Sequence, residues 1–354
     1  MSLITTVIGS YTVPDWYPIL QDAVAKGTLS KEAFQDAKLC AVQAAILDQE
    51  QAGIDVISDG ELFRRSDNCY GPPNAMINYF ADKIAGFSGE HRHKSGITPI
   101  APQASFPAPV VTGALKPTKL GLLDELAVLR ANTDKQVKIA MTGPHMFARI
   151  AWDEHYKNIE ALAGDLAKVI NTEFKALDDA GCDFIQLDEP VIWFAAQDQK
   201  WAVEAINTCF SGITKSRKAL HVCQGNYNQD PNARKGLRIF PAEFKAIVPV
   251  LEQCNVDIIL MTFASLGEDP AMLKEFPKNK VIGLGVIDVQ SHEVETPESI
   301  AKLIDKLSKF IDPNLLWLSP DCGLNHLPRD IAFRKLESLK RGAKIFGMQL
   351  AASK

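Results

Sequence analysis

Short β-prone runs alternate with helical stretches eight times along the 354 residues, no linker divides them, and polar residues gather just after the runs. Those observations predict an α/β protein, a closed (β/α)8 (TIM) barrel with an eight-stranded parallel sheet, as a single catalytic domain over residues 1–354. In such a barrel the catalytic face is the carboxyl end of the strands. Chemistry is therefore expected just after each run.

The first run, residues 5–10, ends in Gly9-Ser10. A helix is expected over residues 31–53, with Phe34, Ala37, Leu39, Val42, Ala45 and Ile46 as its apolar positions and Gly53 as its stop. The second run, 54–58, leads into Asp59-Gly60-Glu61. Residues 81–119 are rich in Pro, Gly and Ser and hold no helical pattern, so they read as an excursion from the barrel, a hairpin or a lid. The third run, 137–141, leads into Thr142-Gly143-Pro144. A helix over about 158–180 ends at Gly181, and the fourth run, 183–187, gives way to Asp188-Glu189-Pro190. The fifth carries His221-Val222-Cys223. A polar connection, 226–238, precedes a helix near 241–254. Runs at 256–261, 280–286 (followed by Ile287-Asp288) and 315–319 (followed by Pro320-Asp321-Cys322-Gly323) complete the set.

Composition sets the broad class. Forty-six per cent hydrophobic and 23 per cent charged residues describe a soluble globular chain. A net charge of −5 with scattered basic residues gives no footprint for nucleic acid. No apolar run approaches the roughly 18 residues needed to cross a bilayer, and the amino terminus shows no signal-peptide pattern. Seven cysteines, an odd number without a tight framework, fit a reducing cytoplasm.

His221 and Cys223, two apart on a strand, point to one face. Imidazole and thiolate are ligands that zinc accepts, and Cys322 arrives at the same mouth from the last strand. A strand-end His-x-Cys by itself is more often packing. The convergence of a His, two Cys and several carboxylates on one barrel mouth favours a site. Other candidates carry less. Cys69 follows the second strand; Cys40, Cys182, Cys209 and Cys254 read as core or surface residues. His91 and His93 lie in the 81–119 excursion, where H-x-H is usually solvated. His145 flanks the third-strand loop, and Phe147, Trp193 and Phe194 would wall a donor or simply cover the barrel top. Gly283-Leu284-Gly285 is strand, with no helix start after it to make a phosphate loop. The 226–238 connection would grip an anionic group such as a sulfonate, or be an ordinary solvated loop.

In order and over nearly the whole chain, Ile8-Gly9-Ser10, Asp59-Gly60-Glu61, Thr142-Gly143-Pro144, Asp188-Glu189-Pro190, His221-Val222-Cys223, Asp288 and Pro320-Asp321-Cys322-Gly323 resemble the catalytic barrel of the cobalamin-independent methionine synthase family. Each piece is unspecific; the ordered set is not. The resemblance implies zinc held by a His, two Cys and a Glu, and methyl transfer to the thiol sulfur of homocysteine. Carried over by position, His221, Cys223 and Cys322 match three metal ligands. Ile8, Ser10, Glu61 and Asp188 match positions that hold the amino-acid substrate. Asp188, Asp288 and His292 are the expected catalytic residues, and Asp321 is a candidate acceptor for the His221 ring N–H.

Departures from the family pattern are specific. Its fourth ligand, a Glu ending the sixth strand, aligns with Thr262, which leaves that position to water, substrate or another carboxylate. On the donor side, Phe194 replaces an acidic residue and Ile150 an aromatic one, with Trp152 close by. Gln290 replaces a His that acts as an acid, with His292 two residues on. The additional amino-terminal barrel of the long members has no counterpart. The expectation is zinc-dependent methyl or alkyl transfer to a thiol, with a donor other than the usual polyglutamyl folate. Alternatives are a sulfonated thiol acceptor, as in epoxyalkane–coenzyme M transferases, a metal-free barrel resembling uroporphyrinogen decarboxylase, and a metal store or sensor. Paired thiolates argue against the decarboxylase. Partners are the small thiol and the alkyl donor, with a protein that delivers the alkyl group and self-association left open.

Overall fold

The computed structural model describes residues 3–65, 76–96, 105–194, 198–223, 241–264 and 269–352, without the side chains of 106, 191, 194 and 241–245. Seven parallel strands make the wall: β1 (Val56–Ile57), β4 (Gln136–Thr142), β6 (Phe184–Asp188), β7 (Arg217–Val222), β8 (Ile258–Met261), β9 (Val281–Ile287) and β10 (Leu316–Pro320), hydrogen-bonded in that order. Thr5 and Thr6 join the two edges. Thr5 bridges Leu318 of β10 and Thr6 bridges Val56 of β1, both parallel. The eighth stave is thus shorter than the six residues the sequence suggests: its described bridges stop at Thr6, and the chain turns left-handed at Gly9 (φ +57°). Asp55 fastens it, accepting from the Thr5 amide and hydroxyl, each at 2.8 Å.

Strand residues alternate faces with a period of two, which separates two cores. Ile8, Val56, Phe184, Ala219, Ile258, Leu260 and Trp317 fill the barrel interior. The intervening residues, among them Ile139, Ile185, Leu220 and Ile259, face outward into a larger core shared with the helices. The Arg217 guanidinium lies 5.7 Å from the Phe184 ring centroid and 5.1 Å from that of Trp317.

Two helices start and stop where their flanking residues dictate. The helix Lys31–Gln51 is capped by the Ser30 hydroxyl, which accepts from the Ala33 amide, and Gly53 follows its end at φ +82°. The helix Ile159–Asp179 is capped by Asn158, which accepts from the Glu160 and Ala161 amides, and ends before Gly181 at φ +78°. Helices Trp16–Ala25, Leu122–Ala131, Gln199–Cys209, Pro297–Leu307 and Arg329–Ala352 supply further outer layers, which the sequence shows only as a general alternation. No described helix is long and apolar enough to cross a membrane.

The excursion is a hairpin. β2 (Ala85–Lys94) and β3 (Phe106–Lys116) pair antiparallel, and β5 (Trp152–Asp153) adds to β3 in parallel. Phe87 stacks on Phe147 with 5.6 Å between centroids, holding this small sheet against the helix Pro144–Ile150.

Two glycines let the mouth close. A Cβ on Gly143 would collide with the Glu189 carboxylate, whose oxygens each accept an amide at 2.8 Å, from His145 and Met146. A Cβ on Gly285 would lie 2.6 Å from the Asp321 Cα, a backbone atom that cannot yield. We expect Gly285→Ala to destabilise the fold by about 1–3 kcal/mol, as overpacking does, measured as a fall in the urea midpoint at unchanged slope.

Candidate metal centre

Strand register places the first pair of functional groups. β6 and β7 run parallel with Asp188 opposite His221, so carboxylate and imidazole leave the wall side by side. His221 Nδ1 lies 3.1 Å from Asp188 Oδ1, and Gln186 Nε2 donates to the same oxygen at 2.7 Å. The ring is buried, 4 % exposed, yet its Nε2 has no hydrogen-bond partner among the described residues. An orphaned buried nitrogen is costly unless something else satisfies it.

Two sulfurs stand beside it. Cys223 directly follows β7, and Cys322 follows β10 across the mouth, with the Sγ atoms 3.9 Å apart. Ligand atoms of His221, Cys223 and Cys322 all lie within 4.8 Å of one another. Two thiol sulfurs and an unpartnered imidazole nitrogen, its other nitrogen held by a carboxylate, suit a borderline-soft divalent ion such as zinc. The hydrogen bond from Cys223 holds the Cys322 thiol below its ordinary range despite burial, aided by His221. Burial opposes a charged His221, but the hydrogen bond and charge of Asp188 raise it above its ordinary range.

Asp321 is not the ring acceptor. Its Oδ1 accepts the Phe263 and Ala264 amides at 2.7 and 3.0 Å, tying the end of β8 to the end of β10. Asp188 takes the role because the β6–β7 register sets it beside the ring. Thr262 donates its hydroxyl to the Asp321 carbonyl at 3.0 Å.

Glu61 and Ser10 meet at the same mouth. Glu61 takes the left-handed conformation (φ +56°), its Oε2 accepts from the Ser10 hydroxyl at 2.8 Å, and Arg64 Nη1 lies 3.5 Å from its Oε1. Burial raises the Glu61 carboxyl above its ordinary range, Arg64 opposes this, and the charge of Asp188 adds to it. The Ile8 side chain packs inside the barrel. Asp288 is half-buried past β9, accepting from the Gln290 amide at 2.8 Å, and its own amide donates to Glu295 Oε1. His292 is exposed on the same loop, and no described contact joins it to the His–Cys–Cys group.

His145 is fully buried, its Nε2 3.2 Å from Asp198 Oδ2 and its ring 4.9 Å from that of Trp201. His93 pairs its Nδ1 with the Ser105 hydroxyl on the hairpin. Cys182, Cys209 and Cys254 are buried and Cys40 is exposed. Burial pushes the Cys182 and Cys254 thiols up to about 12, so both are inert packing groups. Cys69, the 226–238 connection and the Phe194 side chain lie outside the described residues.

Three buried charged groups near the site were given no role by the sequence: Asp59, Arg64 and Lys138. Arg64 is buried and forks onto Glu125, with Nη2 to Oε2 at 2.7 Å. Lys138 offers the clearest signal, a charged residue inside the apolar run Val137-Lys138-Ile139-Ala140-Met141, where only a paired charge is tolerated.

A parallel α/β barrel with a soft-ligand site at its carboxyl mouth defines a class of barrel enzymes. A family model described as the catalytic domain of cobalamin-independent synthase matches residues 3–345, and the chain belongs to that family, as a methyltransferase. It is 35 % identical over 351 residues to a methionine synthase of Sulfurisphaera tokodaii, covering 98 % of this chain and 93 % of that one. A methionine synthase of Sulfolobus acidocaldarius is 33 % identical over 356 residues, with the same coverage. The structure of a B12-independent methionine synthase from Shewanella sp. W3-18-1, in complex with selenomethionine, superposes with a TM-score of 0.85 at 27 % identity, over 99 % of this chain and 100 % of that one.

Asp59 gives a pH signature. Burial, with the charge of Glu125, raises its carboxyl from 3.8 to about 7 against the pull of Arg64. Between those values the folded state binds a proton that the unfolded state has released, so this group's contribution to stability falls as pH rises and is lowest above about 7. Asp59→Asn keeps an acceptor for the Glu61 amide and removes the penalty. Denaturant titrations are expected to show it gaining roughly 1–3 kcal/mol more over the parent at pH 8 than at pH 5.

Proposed function

We propose that this chain transfers a methyl group to the sulfur of homocysteine, with zinc held by His221, Cys223 and Cys322. The observation that carries this is the three-atom cluster, within 4.8 Å, at the mouth of a barrel of this family. The relatives are methionine synthases, and the Shewanella structure holds selenomethionine, the selenium analogue of such a product.

Zinc bound at these ligands lowers a substrate thiol's pKa from about 8.5, supplying thiolate at neutral pH. The chain's residues do the rest. Asp188 holds the Nδ1–H of His221 and so fixes the tautomer that presents Nε2. Glu61 and Asp188 face the substrate ammonium, with the Ser10 hydroxyl orienting Glu61. Ile8, on the stave that carries Ser10, offers its main chain to the same substrate. Asp288 and His292 move protons on the donor side, where the exposed His292 exchanges with solvent.

Thr262 brings a neutral hydroxyl where a carboxylate would add charge, and among the described residues the ligand atoms that converge are those of His221, Cys223 and Cys322. Two cysteine thiolates balance a divalent charge with no carboxylate added. With zinc held there, the acceptor thiol would ionise more readily and attack more slowly than beside a Glu, which suits a donor more activated than methylfolate. We place the enzyme, as one barrel domain, in a reducing cytoplasm; the described cysteines form no disulfide.

Elemental analysis is expected to find one zinc per chain, lost from Cys223→Ser and from Cys322→Ser. Zinc retained by both variants would overturn the ligand assignment. Thr262→Glu should raise the pH midpoint of thiolate formation on homocysteine binding, read as proton release, and an unchanged midpoint would defeat the charge argument.

A further inference from the structure

Lys138 is 3 % exposed and lies inside the barrel. Its strand neighbours Val137, Ile139 and Met141 belong to the outer core, so alternation turns Lys138 inward. Its Nζ donates to the carbonyl of Val7. That carbonyl belongs to the weakest stave, where the described pairing to the sheet consists of the Thr5 and Thr6 bridges. Beyond Thr6, the chain towards Ser10 is fastened by Lys138, by the Ser10–Glu61 hydrogen bond and by the close approach of Gly323, where an added Cβ would lie 3.0 Å from the Ser10 carbonyl oxygen.

Charge balance points the same way. Asp59, Glu61, Glu125 and Asp188 are buried around this end of the barrel, and the buried cations among them are, of the described residues, Arg64 and Lys138. Arg64 forks onto Glu125, and its Nη1 also stands 3.5 Å from Glu61 Oε1 as an ion-pair partner, so one guanidinium is shared between two of these acids. Glu61 Oε1 accepts no hydrogen bond among the described residues.

We propose that Lys138 is a positioning residue for the amino-acid acceptor: it fastens the Val7–Ser10 segment, which sets the Ser10 hydroxyl against Glu61, and adds its charge to that of Arg64 in letting Glu61 meet an incoming ammonium group as a carboxylate. The inference rests on the acceptor reading given above. Burial brings the Lys138 ammonium down to about 8 while Asp188 and Glu61 hold it charged, so the cation is present at neutral pH. A simple space-filling lysine would need no such partners.

The test compares homocysteine with 4-mercaptobutanoate, which lacks only the amino group, by calorimetry on the zinc-loaded protein. In the parent, homocysteine should bind more tightly. Lys138→Met should weaken homocysteine about tenfold and leave 4-mercaptobutanoate unchanged, the loss expected when one charge-assisted contact is gone. Lys138→Gln keeps a donor without the charge and should behave the same way, which covers a Met variant that does not fold. Parallel loss of both ligands, or parental affinity for both, overturns the role of Lys138. A parent that binds 4-mercaptobutanoate but gains nothing from the amino group overturns the acceptor reading instead, and the positioning role falls with it.

Discussion

The contact between Asp188 and His221 depends on nothing more than the offset of two neighbouring parallel strands. β6 and β7 pair so that the last residue of one lies opposite the His of the other. A slip of one residue would turn either side chain into the outer core. The same hydrogen bond fixes the ring and leaves Nε2 without a hydrogen-bond partner beside the two cysteines. The wall's register, set by apolar packing on both faces, is thus what builds the site.

The remaining mouth residues are tied between adjacent or next-adjacent staves of the wall. Glu189 secures the helix after β4, Asp321 secures the end of β8, and each carboxylate passes over a residue that has no Cβ, Gly143 or Gly285. These acids satisfy backbone amides at strand ends, where the ladder has run out of partners. Their neighbours Asp188 and Cys322 are then available to a ligand. One residue of each short motif holds the scaffold and the adjacent residue faces the mouth.

Much of this is legible in the sequence because it is written in local patterns. Strand periodicity, helix stops at Gly53 and Gly181, and polar residues after each run locate the wall and its active end. That 81–119 departs from the barrel is legible from its lack of helical pattern, whereas its being a hairpin follows from the pairing of β2 with β3. The short first stave is less legible, since Val7 and Ile8 look like strand but lie beyond the last bridge pairs. Residue type alone invites Asp321 as the partner of His221, and that choice is wrong. Asp188 and Asp321 both adjoin mouth residues, and only their distances separate a ring acceptor from an amide acceptor.

The linear chain by itself determined the barrel, its catalytic end, and the types of ligand that reach it, because those follow from hydrophobic period and from what imidazole and thiolate can bind. Tertiary structure alone decided which carboxylate orients the imidazole, that the Thr262 hydroxyl donates to a carbonyl, and that Lys138 holds the Val7 carbonyl of the first stave. Those outcomes turn on separations of a few ångströms between residues tens or hundreds of positions apart, and the closure of the barrel sets them.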